Sequence, residues 1–149
     1  MKEIINSFKI TFSAKSSNEG FSRSLVSAFI AQLDPTLEEL CDIKTAVSEA
    51  VTNCIVHAYG RNYKESQKKI FISAALYQDG LVTIKITDKG CGITDIEKVL
   101  TPMYSGSSSD ERSGMGFSIM ECFTDKLIVK STPGKGTTVT LKKYIGTHE

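Results

Sequence analysis

The sequence predicts an α+β fold of two layers, a sheet of about five strands with three helices on one face. Two observations carry the prediction. The segments run in the order strand, helix, helix, hairpin, loop, helix, hairpin, and two turn signals, Asp79-Gly80 and the PGKG of residues 133–136, each join a pair of strands. Behind capping patterns, apolar residues recur at three- and four-residue spacing, the period of helices with one buried face.

In FKITFSA, Phe8, Ile10 and Phe12 alternate with Lys9, Thr11 and Ser13, so the first strand buries one face. Ser16 and Glu19 have the spacing of a capping box, and Phe21, Leu25, Phe29 and Leu33 follow at helical spacing until Asp34-Pro35 stops the helix. Thr36 and Glu39 repeat the pattern for a second helix, whose apolar face of Leu40, Ile43, Val47, Cys54 and Ala58 runs to Tyr59-Gly60. IFISAALYQ and LVTIKITD form the first hairpin. Residues 89–116 are rich in glycine and serine and hold at most a turn of helix near 95–100; a loop of this length within a compact domain is functional or mobile. GFSIMECF reads as a short apolar helix, and KLIVKS and TTVTLKKY as the second hairpin.

One domain over residues 1–149 is the expected organisation, since a chain of this length buries roughly 68–70% of its unfolded surface. A hydrophobic content of 40%, a charged content of 23% and a net charge of +1 fit a globular protein and argue for no direct nucleic-acid partner. No basic segment followed by a long apolar run opens the chain, so neither signal peptide nor membrane span is expected, and the expected location is cytoplasmic. Cys41, Cys54, Cys91 and Cys122 form no CxxC pair, which predicts reduced thiols, mostly in the core, rather than a zinc site.

Within SEAVTNCIVHAYG, residues 48–60, Glu49, Asn53 and His57 recur at every fourth position. Each such step advances about 40° around a helix, so these groups form one stripe, roughly opposite the centre of the core face. The stripe is either a solvated polar face or part of a site. In DKGCGI, Asp88 closes a strand, and Gly90 and Gly92 let the backbone turn and approach a ligand. In SGMGF, Gly114 and Gly116 stand before a helix, where N–H groups without intrahelical partners receive phosphate oxygens. PGKGTT is a turn and not a phosphate-binding P-loop, because no glycine stands five residues before Gly134 and Gly136 follows Lys135 where Ser or Thr is required.

Taken together, ExxxN on a helix, DxGxG after a strand, GxG before a helix and GT opening a last strand resemble the GHKL superfamily of ATPases and kinases. AFIAQLDPT, SEAVTN, ITD, ERSGMGF and IME further resemble the anti-sigma F factors of spore-forming bacteria, small serine kinases of that superfamily, over about Phe12 to Leu141. The resemblance implies ATP and magnesium as cofactors. Asn53 is then the candidate magnesium ligand and Glu49, one turn earlier, the candidate general base. Asp88 is placed to accept a hydrogen bond from the adenine amino group, supported by Thr137, within a nucleotide site that includes Gly90, Gly92 and Ile93. Ser113, Gly114, Met115, Gly116 and Phe117 would flank the phosphates beneath a lid over about 98–113. In that lid this chain reads SGSSSD where the family carries a lysine and a proline. Arg23, expected to face solvent, matches an arginine the family uses at its partner interface, and Arg112 is a second candidate there. His57 reads as a pocket-lining or structural histidine.

The implied function is an anti-sigma factor that binds a sporulation sigma factor of the sigma F type and phosphorylates an anti-anti-sigma factor on serine. The implied assembly is a homodimer without membrane partners. The alternatives are an ATP-gated binding module without transfer activity, and an isolated histidine-kinase catalytic domain.

Overall fold

The computed structural model describes residues 3–96, 100 and 111–146. Five strands, β1 (Ile4–Ser13), β2 (Lys69–Tyr77), β3 (Leu81–Asp88), β4 (Lys126–Thr132) and β5 (Gly136–Tyr144), form one antiparallel sheet in the order β1-β2-β3-β5-β4. Helices α1 (Ser17–Ile30), α2 (Leu37–Asn53) and α3 (Glu111–Cys122) complete a two-layer α+β fold. Alternate residues of the central strands, Ile70, Ile72, Ala74 and Leu76 of β2 with Val82, Ile84 and Ile86 of β3, face the helices. There they meet Val26 and Ile30 of α1, Ile43, Val47 and Val51 of α2, and Phe117 and Met120 of α3. Each such large apolar side chain contributes about 1.5–3 kcal/mol by leaving water.

The two capping patterns have different outcomes. Thr36 is extended, and the reciprocal bonds form: Glu39 N–H donates to Thr36 Oγ1 at 3.1 Å and Thr36 N–H to Glu39 Oε1 at 2.9 Å. Ser16 is itself helical, with φ −57° and ψ −31°, which takes its hydroxyl away from the helix end, and it makes no side-chain cap. Glu19 pairs instead with Arg23. The buried face of α1 is also rotated from the expected stripe: Ser22, Val26, Phe29 and Ile30 are buried, whereas Phe21 is 45% exposed and packs edge-on against Phe12 of the edge strand.

Two helix boundaries depart from the periodicity. The second helix does not continue as an α-helix to Tyr59; after Asn53 it widens into a π turn over Cys54–Ala58. The third begins at Glu111 rather than Gly116, so Gly114 and Gly116 lie inside it and not before it. Of the four free cysteines only Cys54 is buried, while Cys41, Cys91 and Cys122 are exposed, against the expectation of mostly core thiols. The expected lid over about 98–113 falls largely outside the described residues, as do the side chains of 111–115. Among the described residues no helix is long and apolar enough to cross a membrane.

Candidate functional site

A cavity of about 320 Å³ opens where α2, the π turn, the loop after β3, strand β5 and α3 meet. Of the residues singled out in the sequence, Asn53, His57, Asp88, Gly92, Ile93, Phe117 and Thr137 line it. Ile86, Val139 and Phe117 supply apolar surface and Asp88, Asn53 and Thr137 polar groups, the mixture typical of a small-molecule site. Arg23, on the far helix α1, is not in the lining.

The π turn shapes one wall. It presents the carbonyl of Ala58 to the loop after β3, where it accepts the Cys91 N–H at 2.8 Å. The approach is so close that a Cβ on Gly90 would stand 2.1 Å from that oxygen, which is why DKGCG needs its first glycine. π turns recur at functional sites because they re-aim the side chains that follow; here Cys54, His57 and Ala58 all reach the cavity.

Across the sheet, Asp88 ends β3 opposite Thr137 of β5. Asp88 Oδ1 accepts the Gly90 N–H at 2.9 Å, and burial pushes its carboxyl above the usual carboxylate range, opposed by hydrogen bonds from the Gly90 backbone, Cys54 and the Thr137 backbone. Ser131 of β4, opposite Thr137 in the β4–β5 register, was not anticipated from sequence. Its Oγ accepts the Ile93 N–H at 2.7 Å, donates to the Gly136 carbonyl at 2.9 Å and lies 2.8 Å from Thr137 Oγ1. Because the Ser131 proton is committed to Gly136, the Thr137 hydroxyl donates to Ser131, which leaves Thr137 Oγ1 able to accept from the cavity side.

The Glu49/Asn53 stripe is half-buried and not a solvated face. Gly116 of α3 packs on it: a Cβ there would lie 3.3 Å from Glu49 Oε2 and 3.4 Å from Asn53 Oδ1. The Asn53 Nδ2 atom is buried without a hydrogen-bond partner. Leaving such a donor unsatisfied costs about 1–3 kcal/mol, so Nδ2 is available to an acceptor on a ligand, such as a phosphate oxygen. One amide oxygen suits magnesium, which keeps waters and takes its other ligands from phosphate. Among the described residues no group of three His, Cys, Asp or Glu would hold a metal by protein ligands alone. The donor set thus fits a phosphate-borne magnesium ion.

Residues 12–143 match the family profile of the histidine kinase-like ATPase domain, the class of protein that this sheet, helix layer and cavity define. The anti-sigma F factor of Caldanaerobacter subterraneus subsp. tengcongensis is 51% identical over 144 residues, covering 97% of each chain. That of Clostridium botulinum (strain Eklund 17B / Type B) is 53% identical over 138 residues, covering 93% of this chain and 94% of the relative. The chain belongs to the anti-sigma F factor family. Among solved structures, the SiaB-SiaC complex from Pseudomonas aeruginosa contains a similar fold, with a TM-score of 0.70 at 11% identity over 93% of this chain and 89% of that one. The RsbU and RsbW domains of a Mycobacterium tuberculosis protein give a TM-score of 0.69 at 22% identity, over 94% of this chain and 32% of that one.

Proposed function

We propose that the protein is an ATP-dependent serine kinase and anti-sigma factor of a partner-switching system. The observation that carries this reading is the pairing of Glu49 Oε2 and Asn53 Oδ1 about one point on Gly116, beside a cavity that also presents Asp88 and Thr137.

Asp88 accepts a hydrogen bond from the adenine amino group; a guanine carbonyl in the same position would face an acceptor with an acceptor. Asn53 holds the magnesium ion, which when bound neutralises phosphate charge. Glu49 Oε2 takes the proton of a partner's serine hydroxyl as that oxygen bonds to the γ-phosphorus and the bond to the β–γ bridging oxygen breaks, releasing ADP. Residues Ser113 to Phe117, in the first turns of α3, border the phosphates.

The names of the relatives support a sigma factor of the sigma F type as the protein held; in this reading an anti-anti-sigma factor is the competitor that is phosphorylated. Phosphoserine adds about −1.5 to −2 charge, enough to break a complementary interface and return the kinase to the sigma factor. Arg23, partly exposed on α1 and paired with Glu19, and Arg112 are the interface candidates. The working form is a cytoplasmic homodimer, which sedimentation equilibrium tests directly.

The deciding experiment incubates the protein with magnesium, ATP labelled on the γ-phosphate and a candidate anti-anti-sigma protein. Acid-stable label on that partner is expected, reduced about 100-fold or more by Glu49→Ala in a folded variant. Full transfer by Glu49→Ala would remove the base assignment. Nucleotide binding without transfer would leave an ATP-gated binding module, and acid-labile label would indicate phosphohistidine.

A further inference from the structure

The two oxygens of Asp88 are held from different layers of the fold. Oδ1 is bonded within its own loop, by Gly90 N–H. Oδ2 lies 3.6 Å from the sulfur of Cys54, at the start of the π turn. Both side chains are shielded, Cys54 4% and Asp88 7% exposed, and both line the cavity. Between a thiol and a carboxylate in such a place only one arrangement is favourable, S–H donating to Oδ2.

The other bonds to this carboxylate, from Gly90 N–H and from the Thr137 backbone, both come from the sheet and the loop that continues it, and the terminal torsion of Asp is broad. The Cys54 bond adds a restraint on Oδ2 from the helix side, beside the cavity that both residues line. We propose that Cys54 is a positioning residue for base recognition, its S–H orienting Asp88 so that the carboxylate selects purines with an exocyclic amino group over those with a carbonyl. This inference rests on the reading of Asp88 as the acceptor for that amino group.

The test compares ATP with ITP, whose hypoxanthine carries a carbonyl in place of the adenine amino group. Binding of both is measured by calorimetry in the presence of magnesium, on the full chain and on Cys54→Ser, Cys54→Ala and Cys54→Val, with thermal midpoints taken in parallel. Ser keeps a donor at similar size, Val keeps the volume without a donor, and Ala removes both. The wild type is expected to prefer ATP. Ala and Val are expected to lower the ATP-to-ITP preference roughly three- to tenfold, the scale of one weak hydrogen bond, by weakening ATP while ITP is unchanged; Ser is expected to retain the preference. Folded Val and Ala variants with wild-type preference, or a Ser variant as impaired as Ala, would reduce Cys54 to a packing residue and leave the Asp88 reading standing. Equal affinity of the wild type for ATP and ITP would overturn the Asp88 reading, and this inference with it.

Discussion

Asp88 illustrates how a single residue trades stability for recognition. Its carboxyl titrates above the usual 3.8 because burial penalises the charge. A raised folded pKa means that the native state binds the proton more readily than the unfolded chain. The stability linked to that proton is fully present below about pH 3.8 and is lost as pH rises through the folded value. At neutral pH the ionised Asp88 therefore weakens the fold. Asp88→Asn, which keeps an acceptor for Gly90 N–H and removes the charge, is expected to raise the thermal midpoint at pH 7, with an advantage that shrinks as pH approaches 4; the same variant should bind ATP about 10–100-fold more weakly. Melting curves at several pH values check the first point and calorimetry the second. At this scale the sequence was legible where the chemistry is local. Asp88, Gly90 and Gly92 stand out beside one another at a strand end. Cys54 and Ser131 do not, because the contacts that matter, with Asp88 34 positions away and Thr137 six positions away, depend on sheet register and on a helix turn of unusual width.

Among the elements, α3 shows where periodicity was the wrong guide. In ERSGMG the two glycines each cost about 1 kcal/mol against Ala and offset the helix-favouring Glu111, Arg112 and Met115, so the segment reads as loop. Packing against α2 overrides propensity: without a side chain, Gly116 lets the helix lie directly on Glu49 and Asn53. The same packing predicts that stability and function separate at this position. Gly116→Ala gains helix propensity of up to about 1 kcal/mol, while its Cβ, 3.3 Å from Glu49 Oε2, obliges that carboxylate to shift by a few tenths of an ångström and stands in contact with Asn53 Oδ1 at 3.4 Å. The expected outcome is a thermal midpoint equal to or above wild type together with phosphotransfer lowered about tenfold or more, since small displacements of reacting groups are costly. Unchanged transfer would mean that Glu49 and Asn53 work from positions Gly116 does not constrain. The second helix carried a clearer signal. The stripe of Glu49, Asn53 and His57 was visible from spacing alone, but the π turn was not, because its cause is the docking of Ala58 on the loop after β3.

On the scale of the whole molecule, the element types and their order could be read from turn signals and alternation, whereas the placing of β5 between β3 and β4 could not, since a hairpin can present either strand to the sheet. Net charge was equally uninformative about distribution. The strands contain a single carboxylate, Asp88, which faces the cavity, while Lys9, Lys85, Lys130 and Lys142 occupy outward positions of the sheet. Half the sheet surface is thus kept in water, and the other half builds both core and cavity. That economy ties ligand to fold. The cavity is lined from α2, the π turn, β3, the loop after it, β5 and α3, and none of these is in place in the unfolded chain. A nucleotide that binds there binds only the native state, so at 100 times its Kd it adds about 2.7 kcal/mol to unfolding. For a domain of this size that corresponds to a rise of roughly 5–10 °C in thermal midpoint. The rise is expected with magnesium and ATP in the wild type, reduced in Asn53→Ala because the metal contact is lost, and reduced to roughly a sixth to a half in Asp88→Asn despite the higher midpoint of that variant without nucleotide. A wild-type midpoint indifferent to millimolar magnesium and ATP would show that the native chain does not bind the nucleotide, whatever the family resemblance of its residues.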